Sequence, residues 1–178
     1  MQAAYRHIRR TLDALYLAAG VLGAISLIVI LTLIVLQMLA RWTGAIFPGA
    51  PAYAGYAMAS ASFFAFANAL NRGAHIRVSI LLNAVSKPFN RVLEVWCFGL
   101  GALIAWYFVY YATRFTYWSW KFNEVSQSQD ATALWIPQSV MVIGGAIFAI
   151  ALTDNLLHVL FKGTHLIERE SLEESFAE

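Results

Sequence analysis

Residues 15–39 read LYLAAGVLGAISLIVILTLIVLQML, a run without a charged side chain, bracketed by Asp13 and Arg41. A helix needs roughly 20 mostly apolar residues to cross about 30 Å of hydrocarbon, so this run is long enough to span a bilayer. Three more uncharged intervals follow. Residues 53–70 lie between Arg41 and Arg72, residues 95–113 between Glu94 and Arg114, and residues 134–153 between Asp130 and Asp154. The fold class expected is therefore an all-α integral membrane protein with four transmembrane helices in a domain over 15–160. The composition agrees: 60% of the 178 residues are hydrophobic and 12% charged, against about 25% charged in soluble domains.

The polar segments between the spans set the orientation, because short cytoplasmic loops collect Lys and Arg. Arg6, Arg9 and Arg10 precede the first span, Arg72, Arg77, Lys87 and Arg91 separate the second from the third, and Lys162 and Arg169 follow the fourth. The opposite side carries Arg41, Arg114 and Lys121. This imbalance puts both termini in the cytoplasm and segments 41–52 and 114–133 outside. Trp42, Tyr53, Tyr117, Trp118, Trp120 and Trp135 all fall at the predicted outer ends, the level that amphipathic rings favour. The N-terminal arginines before a long apolar stretch resemble a secretory signal, but the stretch is too long and lacks a clear cleavage site. It reads as a retained helix.

Shorter amphipathic elements flank the spans. Over 76–87, Val78, Leu81, Leu82 and Val85 form one stripe at helical spacing. Pro88 ends it, since proline supplies no amide hydrogen. This segment is too short to span and is expected to lie on the membrane surface. Residues 1–14 repeat the pattern with Tyr5, Ile8 and Leu12, as a second surface helix or a continuation of the first span. Residues 161–178 form a polar tail. Within span two, Ala57, Ala61, Ala65 and Ala69 make a smooth strip for close helix approach. Gly99 with Ala102, and Gly144 with Gly145, offer similar low ridges. Phe63, Phe64 and Phe66 lie opposite the alanine strip, facing lipid or another subunit.

The span interiors hold no ionisable residue, whereas carriers and redox proteins place such groups at membrane depth for function. Glu94 and Asp154 sit at cytoplasmic span ends, within reach of water, Arg91 or Lys162. His7, His75, His158 and His165 lie outside the spans or at the end of span four, so no pair is placed to sandwich a haem. Cys97, the single cysteine, leaves no internal disulfide or thiolate metal site, and reads as a small buried hydrophobe. No zinc-helix, nucleophile-elbow or phosphate-loop motif occurs. Neither a catalytic residue nor a cofactor is expected. The dense basic face that nucleic acid needs is missing as well.

One stretch is more specific: residues 70–78, LNRGAHIRV, directly after an alanine- and phenylalanine-rich span, with Trp135, Ile136 and Pro137 opening span four. With the four-span layout, it resembles the small membrane subunit, of DctQ type, of tripartite ATP-independent periplasmic (TRAP) transporters. The chain departs from the usual family pattern at Pro51 to Tyr56, where a Trp followed by acidic residues is common. The resemblance implies a non-catalytic scaffold in a bacterial inner membrane, in a sodium-coupled importer. Its partners would be a large multi-span transport subunit of DctM type that moves as an elevator, a periplasmic substrate-binding protein, and membrane lipids. It also implies that Arg72, His75 and Arg77, with Lys87 and Arg91, contact the large subunit or lipid phosphates, and that Arg114 and Lys121 help dock the binding protein. The rival readings are a membrane anchor of a redox complex and a small stand-alone carrier.

Overall fold

The structure, a computed structural model, describes residues 2–45, 47–71 and 87–162, except the side chains of residues 2–8, 71, 87–90 and 162. These residues form four helices, α1 (Gln2–Thr43), α2 (Ala50–Asn71), α3 (Lys87–Lys121) and α4 (Trp135–Lys162). Three of them, over Arg9–Thr43, Arg91–Lys121 and Trp135–Phe161, are long and apolar enough to cross a membrane. The fourth, α2, has the length, with 22 residues and no charge. Its Ser, Gly, Tyr, Pro and Asn residues dilute its hydropathy, so it does not qualify on composition alone. The surface helix expected over 76–87 and most of the tail at 161–178 lie outside the described residues.

Two helices run further than their apolar cores. α1 is unbroken from Gln2, so the amphipathic N-terminal segment continues the first helix. α3 passes residue 113 and stays helical to Lys121, because nothing in the sequence FTYWSWK breaks a helix. At 1.5 Å per residue α1 is about 63 Å long and α3 about 52 Å, both well beyond the ~30 Å hydrocarbon core.

The helices alternate in direction and stand in a row, α1 beside α2, α2 beside α4, and α4 beside α3, with only slight contact between α1 and α4. One end of the row carries Arg9 and Asp154, the other Tyr56 and Asp130. The core is built largely from small side chains, Ala67, Ala102, Ala105, Ala149 and Ala151, with Tyr16, Leu70 and Leu152. Such a core lets backbones approach closely, which is how helices associate in lipid, where apolar burial gives no advantage. α4 is the most enclosed, 39% of its most apolar window being buried against 11% for α1 and for α3.

Glycines mark the tightest crossings. A Cβ on Gly144 would lie 2.8 Å from the carbonyl carbon and the Cβ of Phe63, so α2 and α4 meet backbone to backbone. A Cβ on Gly23 would stand 3.3 Å from the carbonyl oxygen of Ala61 and 3.4 Å from the amide nitrogen of Ala65, bringing α1 against the alanine strip. On α3 and α4, Gly145 lies under the Phe108 ring and Gly101 under Leu152.

Two expectations change. Phe63 does not turn to lipid or to another subunit: it stacks on Phe108 with centroids 5.5 Å apart, whereas Phe66 packs on Phe148 at the same distance and still stays exposed. Cys97 is exposed rather than buried, because α3 has α4 as its main neighbour and leaves most of its girth uncovered.

Because Gly144 touches main chain that cannot rotate away, Gly144→Leu is expected to destabilise the solubilised protein by at least the ~1–3 kcal/mol of ordinary overpacking. Gly55, with nothing within 4 Å of its Cβ position, is the control. Gly55→Ala should be neutral, or stabilising by up to about 1 kcal/mol through helix propensity. A thermal-shift comparison in one detergent measures both, and equal melting temperatures for Gly144→Leu and wild type would disprove the backbone contact.

Candidate functional site

The predicted site residues fall into three groups. In the first, the alanine strip, Ala61 is buried, Ala57 and Ala69 are half-buried and Ala65 is exposed at its edge. Ala61 and Ala65 meet α1 at Gly23, while Asn68 stands against Gly20. At Ala61 and Ala65 the strip therefore faces α1. The tighter side of α2 carries Ala67, fully buried, and Leu70, which the four-residue alanine spacing passes over.

The second group is the basic set. Arg72, His75 and Arg77 lie outside the described residues, and Lys87 is described only as the first residue of α3. Arg91 Nη2 donates a 2.8 Å hydrogen bond to the carbonyl oxygen of Leu160. It thus satisfies one of the acceptors left open at the C-terminus of α4, where a cation also suits the helix dipole. One of its donors is thus used inside the chain.

The third group, Arg114 and Lys121, sits on α3 and not in a loop. The Arg114 guanidinium carbon lies 6.0 Å from the centroid of the Tyr110 ring, and Lys121 Nζ 4.9 Å from that of Trp118. Each cation lies over an aromatic face, the arrangement the ring quadrupole favours.

Sequence reading missed the polar ties that lock the row. At one end Arg9 Nη1 donates to Asp154 Oδ2 at 2.9 Å, and Arg9 Nη2 pairs with Asp13 at 3.1 Å. This ties α1 to α4, which otherwise barely touch. Asp154 therefore pairs with Arg9, whereas Arg91 and Lys162 were the expected partners. The signal was present as opposite charges at one membrane level, but the pairing needs the spatial order of helices. Midway along the row, Trp106 Nε1 donates to Thr153 Oγ1 at 3.1 Å and joins α3 to α4.

At the opposite end, the link between α3 and α4 folds on itself. Val125 bridges Ala133, the Ser126 amide donates to the Thr132 carbonyl, and Leu134 donates to Glu124. Asp130 is its hub, accepting from Ser128, from the Thr132 amide at 3.3 Å and from Tyr56 of α2 at 3.1 Å. Gly49 makes room: its φ of 79° suits glycine, and a Cβ there would stand 3.0 Å from that of Asp130. The Ser128 hydroxyl above all, then Thr132 and Tyr56, hold the Asp130 carboxyl well below the usual carboxylate range. Ser119, buried at the end of α3, donates to Glu124 at 2.7 Å. Among the described residues no cluster of His, Cys, Asp and Glu could hold a metal.

Two outcomes follow. Arg9→Gln leaves Asp154 without its cation and should cost about 1–3 kcal/mol, the range for losing a hydrogen bond to a charged group. Adding Asp154→Asn should restore much of the loss, since the unpaired charge that remains, Asp13, is far more exposed than Asp154. Thermal unfolding of both variants in one detergent checks this, and strictly additive losses would remove the pair. For Asp130, a lowered folded pKa means that its contribution is complete above the unfolded carboxyl value near 4. That contribution drains away as pH falls below it. Exchange protection of the Thr132 amide, corrected for intrinsic rates, should hold from pH 7 to about 5, and Asp130→Asn should lower it throughout.

The arrangement has interhelical ties, small-residue seams and aromatic ends. No curated relative matches the chain. A protein-family model described as "Tripartite ATP-independent periplasmic transporters, DctQ component" matches residues 30–162, from the middle of α1 to the last residue of α4. The seams at Phe63–Gly144 and Phe108–Gly145 lie wholly within that stretch. The chain belongs to the DctQ family and is a membrane component of a TRAP transporter.

Proposed function

We propose that this chain is the non-catalytic scaffold subunit of a sodium-coupled, binding-protein-dependent TRAP importer in a bacterial inner membrane. In this reading α2 is a fourth span, and both termini are cytoplasmic. The transporting partner is a large DctM-type subunit that carries substrate and sodium in an elevator movement, and a periplasmic binding protein delivers the substrate. The small subunit braces the frame against which the moving part slides.

The observation that carries the reading is how the polar groups of the helices are used. Arg9, Asp154, Trp106, Thr153 and Arg91 are all engaged in tying one helix to the next, so they stiffen the row. A brace needs this stiffness and a long flank. Both α1 and α3 offer flanks of exposed apolar side chains, such as Leu27, Ile28 and Leu31 on one and Leu103, Ile104 and Tyr107 on the other. Arg72, His75, Arg77, Lys87 and Arg91 remain the proposed contacts to the large subunit or to lipid phosphates, Arg91 also holding the end of α4. Docking of the binding protein falls to the folded link at residues 122–134 more than to Arg114 and Lys121, which turn onto α3.

The test is a mild-detergent pull-down of the tagged chain from its native membrane. The expected result is a much larger many-span protein recovered in equal amount, with several-fold less of it for a variant carrying Arg72→Ala and Arg77→Ala. Recovery of the chain alone or with a haem protein, or substrate uptake by vesicles containing only this chain, would overturn the reading.

A further inference from the structure

The end of α3 distant from Arg91 carries two cations on one face. Arg114 and Lys121 are seven residues apart, close to two full turns, and neither makes an ion pair among the described residues. In a helix the Cα–Cβ bonds lean toward the N-terminus. A basic residue near the C-terminal end of α3 therefore starts out aimed back along the helix. Both side chains follow that lean. Arg114 lies over Tyr110, one turn back, and Lys121 over Trp118, three residues back. A snorkelling arginine would carry its guanidinium up to the Tyr117 and Trp118 level to reach water. This one is turned toward the apolar part of the helix.

Directly beside it runs an open groove of about 610 Å³, lined by Arg114, Tyr110, Trp106, Tyr117 and Trp118, and with them Val109 and Thr113. Its walls are almost wholly apolar. From Arg114 to Trp106 it follows about 12 Å of helix at 1.5 Å per residue. Its deep end is fixed, because the Trp106 indole is held by Thr153 of α4. A guanidinium at the mouth and an aromatic trough below match a molecule with an anionic head and an apolar tail. Arg grips phosphate oxygens through two parallel N–H donors, and apart from the Tyr110 ring Arg114 has no ion pair among the described residues.

We propose that this groove is a binding site for one anionic phospholipid of the leaflet at the C-terminal end of α3. Its phosphate sits on Arg114, with Lys121 above it, and one acyl chain lies along Tyr110 to Trp106. In the orientation proposed above that leaflet is the outer one. The site itself rests only on α3 lying in the membrane, and it stands whichever way the chain is inserted.

The experiment uses the full chain in nanodiscs of phosphatidylcholine containing a tenth of brominated phosphatidylglycerol or, separately, brominated phosphatidylcholine. Bromine quenches tryptophan fluorescence at contact, and Trp106→Phe shows how much of the signal comes from the groove. The expected result is at least threefold stronger quenching of the Trp106 part by the anionic lipid. That preference should fall toward one in Arg114→Gln, return partly in Arg114→Lys, and weaken as salt is raised. Equal quenching by the two lipids in the wild type would make the groove ordinary lipid-facing surface and overturn the site. Absence of quenching by either would mean that protein covers it, and would overturn it too. The wild-type comparison and its salt dependence decide the matter even where Arg114→Gln fails to fold. The result is independent of the pull-down, so failure of one leaves the other standing.

Discussion

The contact on which the rest of this bundle depends is the meeting of two backbones where Gly144 of α4 lies against Phe63 of α2. Lipid tails are as apolar as leucine, so helices in a bilayer gain nothing by burying apolar area against each other. They must gain by close packing, in which dispersion is collected over many atoms at short range. Gly144 allows that approach. The Phe63 ring then extends past α4 to stack on Phe108 of α3, with Gly145 beneath that ring. One pair of adjacent glycines thus seats α4 against both of its neighbours.

That geometry yields a row of helices with an enclosed member and two open flanks. Soluble bundles close around a core of large side chains. Here the core is mostly alanine, and the large residues point outward along α1 and α3. One polar tie falls where packing is thinnest, and others reinforce helices already in contact. Arg9 reaches Asp154 across two helices that otherwise have little contact, and Arg91 caps the end of α4. At the far end Asp130 gathers α2 and the link between α3 and α4 around one carboxylate. A component of a multi-subunit transporter is suited by such a build, since its own fold is settled internally and its flanks stay free for other chains and lipid.

The helices themselves were legible in the sequence, because the cost of charge in hydrocarbon leaves long uncharged runs. Their lengths were less so. A charged residue was read as the end of a span, yet α1 extends back to Gln2 and α3 on to Lys121, since a helix has no reason to stop at the membrane surface. Packing was half legible: the glycine ridges on α3 and α4 mark true contacts. The alanine strip pointed to the α1 seam but not to Ala67 or to the partners of Phe63 and Phe66. Those depend on which helix stands beside which, as does the Arg9–Asp154 pair, and spacing along one strand of sequence contains no such information. The family resemblance rested on residues 70–78, yet the match over residues 30–162 spans most of the described helices.

The enclosed position of α4 bears on how the chain is made. Ribosomes deliver helices in order, so α1, α2 and α3 are complete before α4, the second neighbour of α2 and the main neighbour of α3. α1 and α2 can settle together at Gly23 as soon as both are present. α3, whose main neighbour is α4, must wait with Trp106 lacking its hydrogen-bond partner and its glycines uncovered. The arrival of α4 therefore turns a helical hairpin and a lone helix into one body. Until then α3 depends on lipid or on an insertion factor for shelter, and a nascent chain stalled before residue 135 displays the surface that membrane quality control is built to detect.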